Sequence, residues 1–331
     1  MVAVTPASAR SACIVDTDLS LHLPNIRSLF LPSAGHALVE GDLARADACV
    51  AAWDSDATDL KEQVHAGIDF HSDNAQMLYG SMWNGRTFQR TRDINPRALH
   101  VNGMSFRDNA KRWVHATNFH GGARTVSQAL ALNEDHVSQC QKWWTHDRHP
   151  QIAAWHTRIA HELNARKMPV IHNRFGYRRT YVGGTPYGRS NTSNLLGQAL
   201  AWICQSTVAV AINRGIARVD CRRELLGRDR CGDCLCCRGG RWHLLLQVHD
   251  SALAECSQSD LTSDAILAYA SALTVLIPYD DPLYIPVEVK YSLADWGSMR
   301  KWDAGTNSIA AERPAAERPA VERQHAPPPS L

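Results

Sequence analysis

The stretch Trp242-His-Leu-Leu-Leu-Gln-Val-His-Asp250 is an apolar run that ends in an aspartate. Its pattern predicts a β-strand over Trp242 to Val248, and Ala252 to Cys256 is the expected hairpin partner. Ala37-Leu-Val-Glu-Gly41 is a second short apolar run, which we expect to form a strand that stops at Asp42. Two strands would thus each present an aspartate at a rigid end of the backbone.

A basic helix start, Arg107-Asp-Asn-Ala-Lys111, lies between the two aspartates. The pattern predicts a helix over Asp108 to Phe119 with Ser105 as its N-cap and Gly121-Gly122 as its end. Arg107 and Lys111 are one helical turn apart, so both are expected to point the same way. A helix N-terminus with two cations favours polyphosphate binding, and the alternative is an ordinary solvated basic face.

Bulk composition sets loose limits on the class of protein. The 331 residues suit one large domain or two smaller ones, and the 44% apolar content is enough for a core. The net charge is only +2, so any basic surface must be local. We find no secretory signal pattern, and the least polar stretch, Asn194 to Ile212, predicts a buried helix rather than a membrane span. Ten cysteines without an export signal indicate thiols or metal ligands.

Two strand-end carboxylates can hold a pair of Mg²⁺ ions about 3.5–4 Å apart, which is the arrangement that nucleotidyl transfer needs. For Asp42 or Asp250 taken alone, a turn or a helix cap is the more common role. The sequence around the two aspartates favours the catalytic role instead, because it resembles the motifs of the family A DNA polymerases, the bacterial DNA polymerase I-like and phage enzymes. The matching blocks, in the family's order, are Leu38-Val-Glu-Gly-Asp42-Leu-Ala-Arg-Ala-Asp47 (motif A), Asp69-Phe-His71, Arg107 to Gly121 (motif B), Asn194-Leu-Leu-Gly-Gln198, Gln247-Val-His-Asp250 (motif C) and Pro286-Val-Glu-Val-Lys290 with Trp296-Gly297.

The resemblance covers roughly residues 20–303 and implies roles for individual side chains. Asp42 and Asp250 would be catalytic and would bind two Mg²⁺ ions. The residues expected to contact the incoming dNTP are Arg107, Lys111, His71, Asp47, His115 and Phe119. Those expected to contact nucleic acid are Asn194, Gln198, Gln247 and His249. A structural histidine at position 71 and a plain polar stripe at positions 194 and 198 are the alternatives.

Four positions depart from the family's pattern. Asp47 stands where the family has glutamate, His115 where it has phenylalanine or tyrosine, and Phe119 where it has tyrosine. Ser251 replaces the glutamate that usually follows the motif C aspartate. The resulting sequence His249-Asp-Ser251 also resembles motif C of the single-subunit phage RNA polymerases. Sugar selection therefore stays open between DNA synthesis and ribonucleotide-tolerant or RNA synthesis.

The family fold implies an α+β architecture with a right-hand palm, an antiparallel sheet with helices, plus helical fingers. We expect an N-terminal segment and first palm part over 1–66, fingers over 67–165, a second palm part over 166–303 and a disordered Ala/Glu/Arg/Pro tail over 304–331. Thumb and exonuclease domains are expected to be absent and supplied by a separate polypeptide. Primer-template DNA and dNTPs are the expected partners, with no membrane, in the cytoplasm of a host cell if the origin is a phage. A non-catalytic nucleic-acid-binding subunit is the other alternative.

A cysteine-rich insertion at 219–240 has no counterpart in the family pattern. Cys231-Gly-Asp-Cys234 has the spacing of a zinc knuckle, which two further thiolates would complete. The candidates for those two ligands are Cys221, Cys236 and Cys237. A structural Zn²⁺ that pins an arginine-rich loop and a metal-free cysteine-rich loop both remain open.

Overall fold

A computed structural model of the chain describes residues 25–165, 168–182, 195–220, 235 and 242–303. Several predicted features lie outside these residues. They are Asn194, the cysteines Cys221, Cys231, Cys234, Cys236 and Cys237, and the tail over 304–331.

The described residues form a mixed α+β fold. The α-helices are Ala46–Asp54 (α1), Thr58–His65 (α2), Phe70–Gly80 (α3), Phe106–Asn118 (α4), Ala123–Leu130 (α5), Glu134–Lys142 (α6), Pro150–Asn164 (α7), Leu195–Val219 (α8) and Ser263–Leu273 (α9). The strands are His36–Leu43 (β1), Ser81–Trp83 (β2), Phe88–Arg90 (β3), His100–Val101 (β4), Met104–Ser105 (β5), Val170–His172 (β6), Arg178–Thr180 (β7), His243–Val248 (β8), Ser251–Ser257 (β9), Leu276–Ile277 (β10), Leu283–Tyr284 (β11), Val287–Ser292 (β12) and Arg300–Lys301 (β13).

The main sheet has five antiparallel strands in the order β13-β12-β1-β9-β8, so β1 is its central strand. The expectation that β1 stops at Asp42 is wrong, because the strand continues to Leu43. Asp42 is paired on both sides, with Ser251 of β9 and with Glu288 of β12. The β8–β9 hairpin follows the prediction closely. The sheet therefore joins the two aspartate-bearing segments directly.

The two faces of β1 alternate, as a strand requires. Ala37 and Val39 belong to the main core, whereas Leu38 packs on the opposite face in a small cluster with Leu253 and Trp296. Gly41 allows α9 to approach the sheet, because a Cβ at this position would lie 2.4 Å from Leu273 Cδ1. Helix α9 thus packs on the face of the sheet that belongs to the main core, and the opposite face carries the Leu38 cluster.

Helix α8 is the central helix of the core. It packs against α1, α7 and α9, and its buried side includes Leu196, Leu200, Ile203 and Ile212. Among the described residues it is the one helix long and apolar enough to cross a membrane by length and composition alone. Its position among three other helices agrees with the prediction of a buried helix.

Helix α4 starts as predicted and ends differently. The Ser105 Oγ accepts a hydrogen bond from the Asp108 N–H at 3.0 Å, so Ser105 is the N-cap. The helix ends at Asn118, before the two glycines that were expected to end it. His120 takes the left-handed conformation at φ 58°, and the Gly121 N–H donates to the Ala116 carbonyl at 2.7 Å. A histidine rather than a glycine therefore occupies the left-handed position of the capping turn, and Gly121 supplies the N–H that closes the turn.

Candidate active site

The sheet brings Asp42 and Asp250 together. The turn between β8 and β9 consists of His249, in the left-handed conformation at φ 53°, and Asp250. The Leu43 N–H donates to the Asp250 carbonyl at 3.1 Å, and Asp42 is the register partner of Ser251. The two aspartates thus lie side by side at one end of the sheet.

The two carboxylates repel each other across this junction. Burial, followed by the charge of Asp250, raises the pKa of Asp42 from 3.8 to about 6, and the charges of Lys290 and Lys111 oppose the rise. Within the described residues, neither carboxylate forms a hydrogen bond or an ion pair. An unpaired and crowded carboxylate pair of this kind is stabilised by a bound cation.

A cleft of about 250 Å³ opens beside the pair. Its lining residues are Asp42, Leu43, Arg45, Ala46, Asp47, Ala48, His71, Lys111, Val114, His115, Asn118, Phe119 and Asp250. Seven of the side chains singled out from the sequence meet here: Asp42, Asp47, His71, Lys111, His115, Phe119 and Asp250. Lys111 forms no ion pair within the described part of the chain, so its ammonium group is available to an anion.

Sequence reasoning missed Asn118 and Arg45. Asn118 completes a helical stripe with Lys111, Val114 and His115 at the spacing i, i+3, i+4, i+7, which is a readable signal. Its side-chain oxygen accepts a hydrogen bond from Trp144 Nε1 at 2.9 Å, and this contact fixes its orientation. Nothing comparable in the sequence around Arg45 predicts that its side chain lies at the cleft. Its left-handed backbone at φ 56° and the Nη1 hydrogen bond to the Ile68 carbonyl at 2.7 Å depend on tertiary structure.

Asp47 and His115 face each other across the cleft. Their closest atoms, His115 Nδ1 and Asp47 Oδ2, are 3.6 Å apart. Burial raises the pKa of Asp47 and lowers the pKa of His115, and the mutual attraction of the pair opposes both shifts. The His115 ring also packs edge-on against Phe119, with ring centroids 4.4 Å apart. Asp47, His115 and Phe119 therefore form one contiguous group at the cleft.

His71 lines the cleft but is almost fully buried, with 2% of its surface exposed. Burial, followed by the charge of Arg107, lowers its pKa to about 4, so the ring is neutral at pH 7. Its Nδ1 atom has no hydrogen-bond partner among the described residues. The ring thus carries no charge at this pH.

Arg107 is not among the cleft-lining residues, so it does not accompany Lys111 as expected. Its Nε and Nη2 atoms donate to the Asp69 carboxylate at 2.7 and 3.0 Å, and Arg97 donates to the same carboxylate at 2.7 Å. Burial alone would raise the pKa of Asp69, but the hydrogen bonds from Arg107 and Ser72 and the two arginine charges lower it to about 2. Arg107 is therefore held at the rim by an ionised partner.

Three of the residues expected to contact nucleic acid, Gln198, Gln247 and His249, are not among the residues that line the cleft. Gln198 is exposed on α8, Gln247 is exposed on β8, and His249 is exposed in the turn beside Asp250. The charge of His249 acts on Asp47, so the turn and α1 are close in space. The fourth, Asn194, lies outside the described residues.

The donor set fits a hard divalent cation only in part. Within the described residues, no group of three or more His, Cys, Asp or Glu side chains could hold a metal ion. Asp42 and Asp250 supply two carboxylates, and Mg²⁺ commonly takes one or two carboxylates with the remaining ligands from water and substrate phosphates. The pair therefore suits a cation that a phosphate-bearing ligand completes.

The fold is similar to that of a solved polymerase. The structure is described as the "POL domain of Pol1 from M. smegmatis complex with DNA primer-template and dNTP", with a TM-score of 0.60 and 18% sequence identity. The match covers 82% of this chain and 42% of that chain, so this chain spans less than half of that protein's length. No family model matches the sequence, and no match is found among curated proteins. The chain therefore has the α+β fold of a polymerase domain, with an antiparallel sheet and surrounding helices.

Proposed function

We propose that this protein carries out template-directed DNA synthesis by nucleotidyl transfer. The observation that carries the proposal is the convergence of Asp42, Asp250 and Lys111 in one cleft. The similarity to a polymerase domain whose described structure contains primer-template and dNTP supports it. We also propose that the chain belongs to the family A polymerases, because its motif sequences resemble those of that family.

In this mechanism Asp42 and Asp250 would hold two Mg²⁺ ions, which when bound favour ionisation of the primer 3′-hydroxyl and stabilise the leaving pyrophosphate. The 3′-oxygen forms a bond to the α-phosphorus, the bond from that phosphorus to the bridging oxygen of pyrophosphate breaks, and the hydroxyl proton passes to solvent. Lys111 and the N-terminus of α4 would attract the triphosphate, with Arg107 and His71 at its edge. Phe119 would stack on the base or sugar.

Outside the cleft, Asn194, Gln198, Gln247 and His249 would contact the primer-template. The chain would act as the catalytic part of a polymerase, together with a separate polypeptide that supplies thumb and exonuclease functions. Thumb contacts to the phosphate backbone from such a partner would tighten the binding of duplex DNA. We place this activity in the cytoplasm.

A ribonucleotide-tolerant or RNA-synthesising polymerase is the second candidate. The observation that favours it is the Asp47–His115 contact at 3.6 Å, which occupies the positions where the family has a longer acid and a ring without charge. A non-catalytic nucleic-acid-binding subunit is the third candidate, because within the described residues no group of three or more His, Cys, Asp or Glu side chains could hold a metal ion.

Primer extension on one primed template, with dNTPs or NTPs and Mg²⁺, tests the proposal. We expect synthesis by the wild type, alone or with a neighbouring gene product, and a loss of at least about 100-fold in Asp250→Asn. Asp280→Asn, at an exposed aspartate, is the matched control and should retain full activity. Incorporation of NTPs would favour the second candidate. Nucleic-acid binding unaffected by Asp250→Asn, with no synthesis under any condition, would favour the third.

A further inference from the structure

Glu40 is a buried acid beside the candidate site, and it is not one of the residues that line the cleft. It lies two residues before Asp42 on β1, so the two side chains leave the strand on the same face. Only 4% of its surface is exposed. A carboxylate buried to this degree is costly unless hydrogen bonds and a counter-charge accompany it.

Three partners surround the Glu40 carboxylate, and each comes from a different segment. Trp296 Nε1 donates to Oε1 at 3.2 Å, and the Ser251 hydroxyl donates to the same oxygen at 3.5 Å. Lys290 Nζ lies 3.9 Å from Oε2. Ser251 follows Asp250 directly, and its one hydroxyl proton has two acceptors within reach, the Glu40 carboxylate and the Val248 carbonyl at 3.0 Å across the turn. Glu40 thus connects the strand that carries Asp42 to the turn that carries Asp250.

The Trp296 end of this network is also fixed. The backbone N–H of Trp296 donates to the Phe30 carbonyl at 3.0 Å, and the indole ring contacts the Phe30 ring edge-on, with ring centroids 5.5 Å apart. Buried ionic networks are often no more stabilising than apolar replacements of similar volume. Stability alone therefore does not explain an acid at this position.

We propose that Glu40 is a positioning residue for the cation site: through Ser251 it fixes the Asp250 turn against β1, and it adds a third negative charge next to the aspartate pair. This inference rests on the proposed function. It is specific to this chain, because Ser251 stands where the resemblance leads one to expect an acid, and Glu40 brings a carboxylate to within 3.5 Å of that side chain from the neighbouring strand. A carboxylate at either position would reach the same space.

Mn²⁺ binding to the full chain, measured by isothermal titration calorimetry, tests the inference together with primer-extension kinetics. In Glu40→Gln, which keeps the shape and removes the charge, we expect Mn²⁺ affinity to fall about tenfold and kcat to fall with little change in KM for dNTP. The exchange variant Glu40→Ser/Ser251→Glu should recover Mn²⁺ affinity to within about threefold of wild type. Glu255→Gln, at the other end of the same sheet, is the control and should behave as wild type.

Each outcome decides between the two proposals. If Glu40→Gln binds Mn²⁺ as wild type while Asp42→Asn does not bind it, the role of Glu40 is wrong and the proposed function stands. If Asp42→Asn also binds Mn²⁺ normally, the cation site and the role of Glu40 both fall. Should Glu40→Gln fail to fold by circular dichroism, Ser251→Ala, which cuts the link and keeps the acid, must still weaken Mn²⁺ binding; unchanged binding would overturn the inference.

Discussion

The backbone N–H of Leu43 donates a hydrogen bond to the carbonyl oxygen of Asp250 at 3.1 Å. This hydrogen bond joins the end of the central strand, β1, to the turn between β8 and β9, and it holds Asp250 next to Asp42. The fold therefore keeps two like charges in proximity, and neither has an ion-pair partner among the residues that the structure describes. Such an arrangement costs stability, and the cost has consequences that can be measured.

Asp42→Asn is expected to stabilise the fold while it removes activity. The folded-state pKa of Asp42, about 6, lies above its ordinary value of 3.8, so the ionised form destabilises the folded chain above about pH 6. Without divalent cations at pH 8, the variant should melt about 1–2 °C higher than wild type, a small gain because the carboxyl is partly exposed to solvent. The gain should disappear as the pH falls from 6 towards 4. Thermal melts at pH 8 and pH 4.5 check this, and an equal gain at both values would contradict it.

Asp69→Asn is expected to destabilise the fold and weaken dNTP binding, because Asp69 holds Arg107 through two hydrogen bonds. At pH 7 the free energy of unfolding should fall by about 1 kcal/mol, given the partial exposure of the pair. Its pKa of about 2 is below the ordinary value, so this stabilisation is present above about pH 4 and is lost as the pH falls towards 2. Urea unfolding at pH 7 and pH 3 measures the difference, and Asp93→Asn, at an exposed ion pair, should stay within about 0.5 kcal/mol. A loss that is the same at both pH values would argue against the assignment.

Asp47→Glu is expected to sharpen discrimination between dNTP and NTP. The added methylene extends the carboxylate from α1 into the cleft, where His115 and Phe119 already lie. We expect the ratio of kcat/KM for dNTP over NTP to rise about tenfold. Asp47→Asn has the original length and should not raise the ratio. Equal ratios in Asp47→Glu and wild type would show that this position does not select the sugar.

Gly41→Ala is expected to destabilise the packing of α9 on the sheet. The added Cβ would lie 2.4 Å from Leu273 Cδ1 and 3.0 Å from Tyr269 Cε1, both on α9. The free energy of unfolding should fall by about 1–3 kcal/mol. In a Leu273→Ala background, which removes the closest atom, the same substitution should cost at least about 1 kcal/mol less. Additive losses in urea unfolding would place the strain elsewhere.

The cysteine-rich insertion is tested by elemental analysis. If Cys231 and Cys234 bind zinc, protein purified without chelator should contain about one zinc per chain, and Cys231→Ser and Cys234→Ser should lose it. Cys140→Ala, at a buried thiol on α6, is the control and should keep it. Wild-type protein without zinc would contradict the zinc-site hypothesis and favour a metal-free cysteine-rich loop.

Local patterns in the sequence were sufficient to predict the parts of the site that depend on short spacings. The β8–β9 hairpin, the Ser105 cap of α4 and the burial of α8 each follow from neighbouring residues, and the structure agrees with all three. The same applies to the cleft-facing Lys111, because its helix start is visible in the sequence. The stripe that ends in Asn118 could have been found in the same way.

Contacts between distant segments were decided by the tertiary structure alone. The capture of Arg107 by Asp69, the raised pKa of Asp42 and the burial of Glu40 between Ser251 and Trp296 all depend on which side chains meet across the sheet and between helices. Spacing along the chain carries no information about those partners, since hydrogen bonds and burial act over a few ångströms in space. The sequence thus determined which chemical groups this protein has. The fold determined which of these groups are ionised and which side chains each of them contacts.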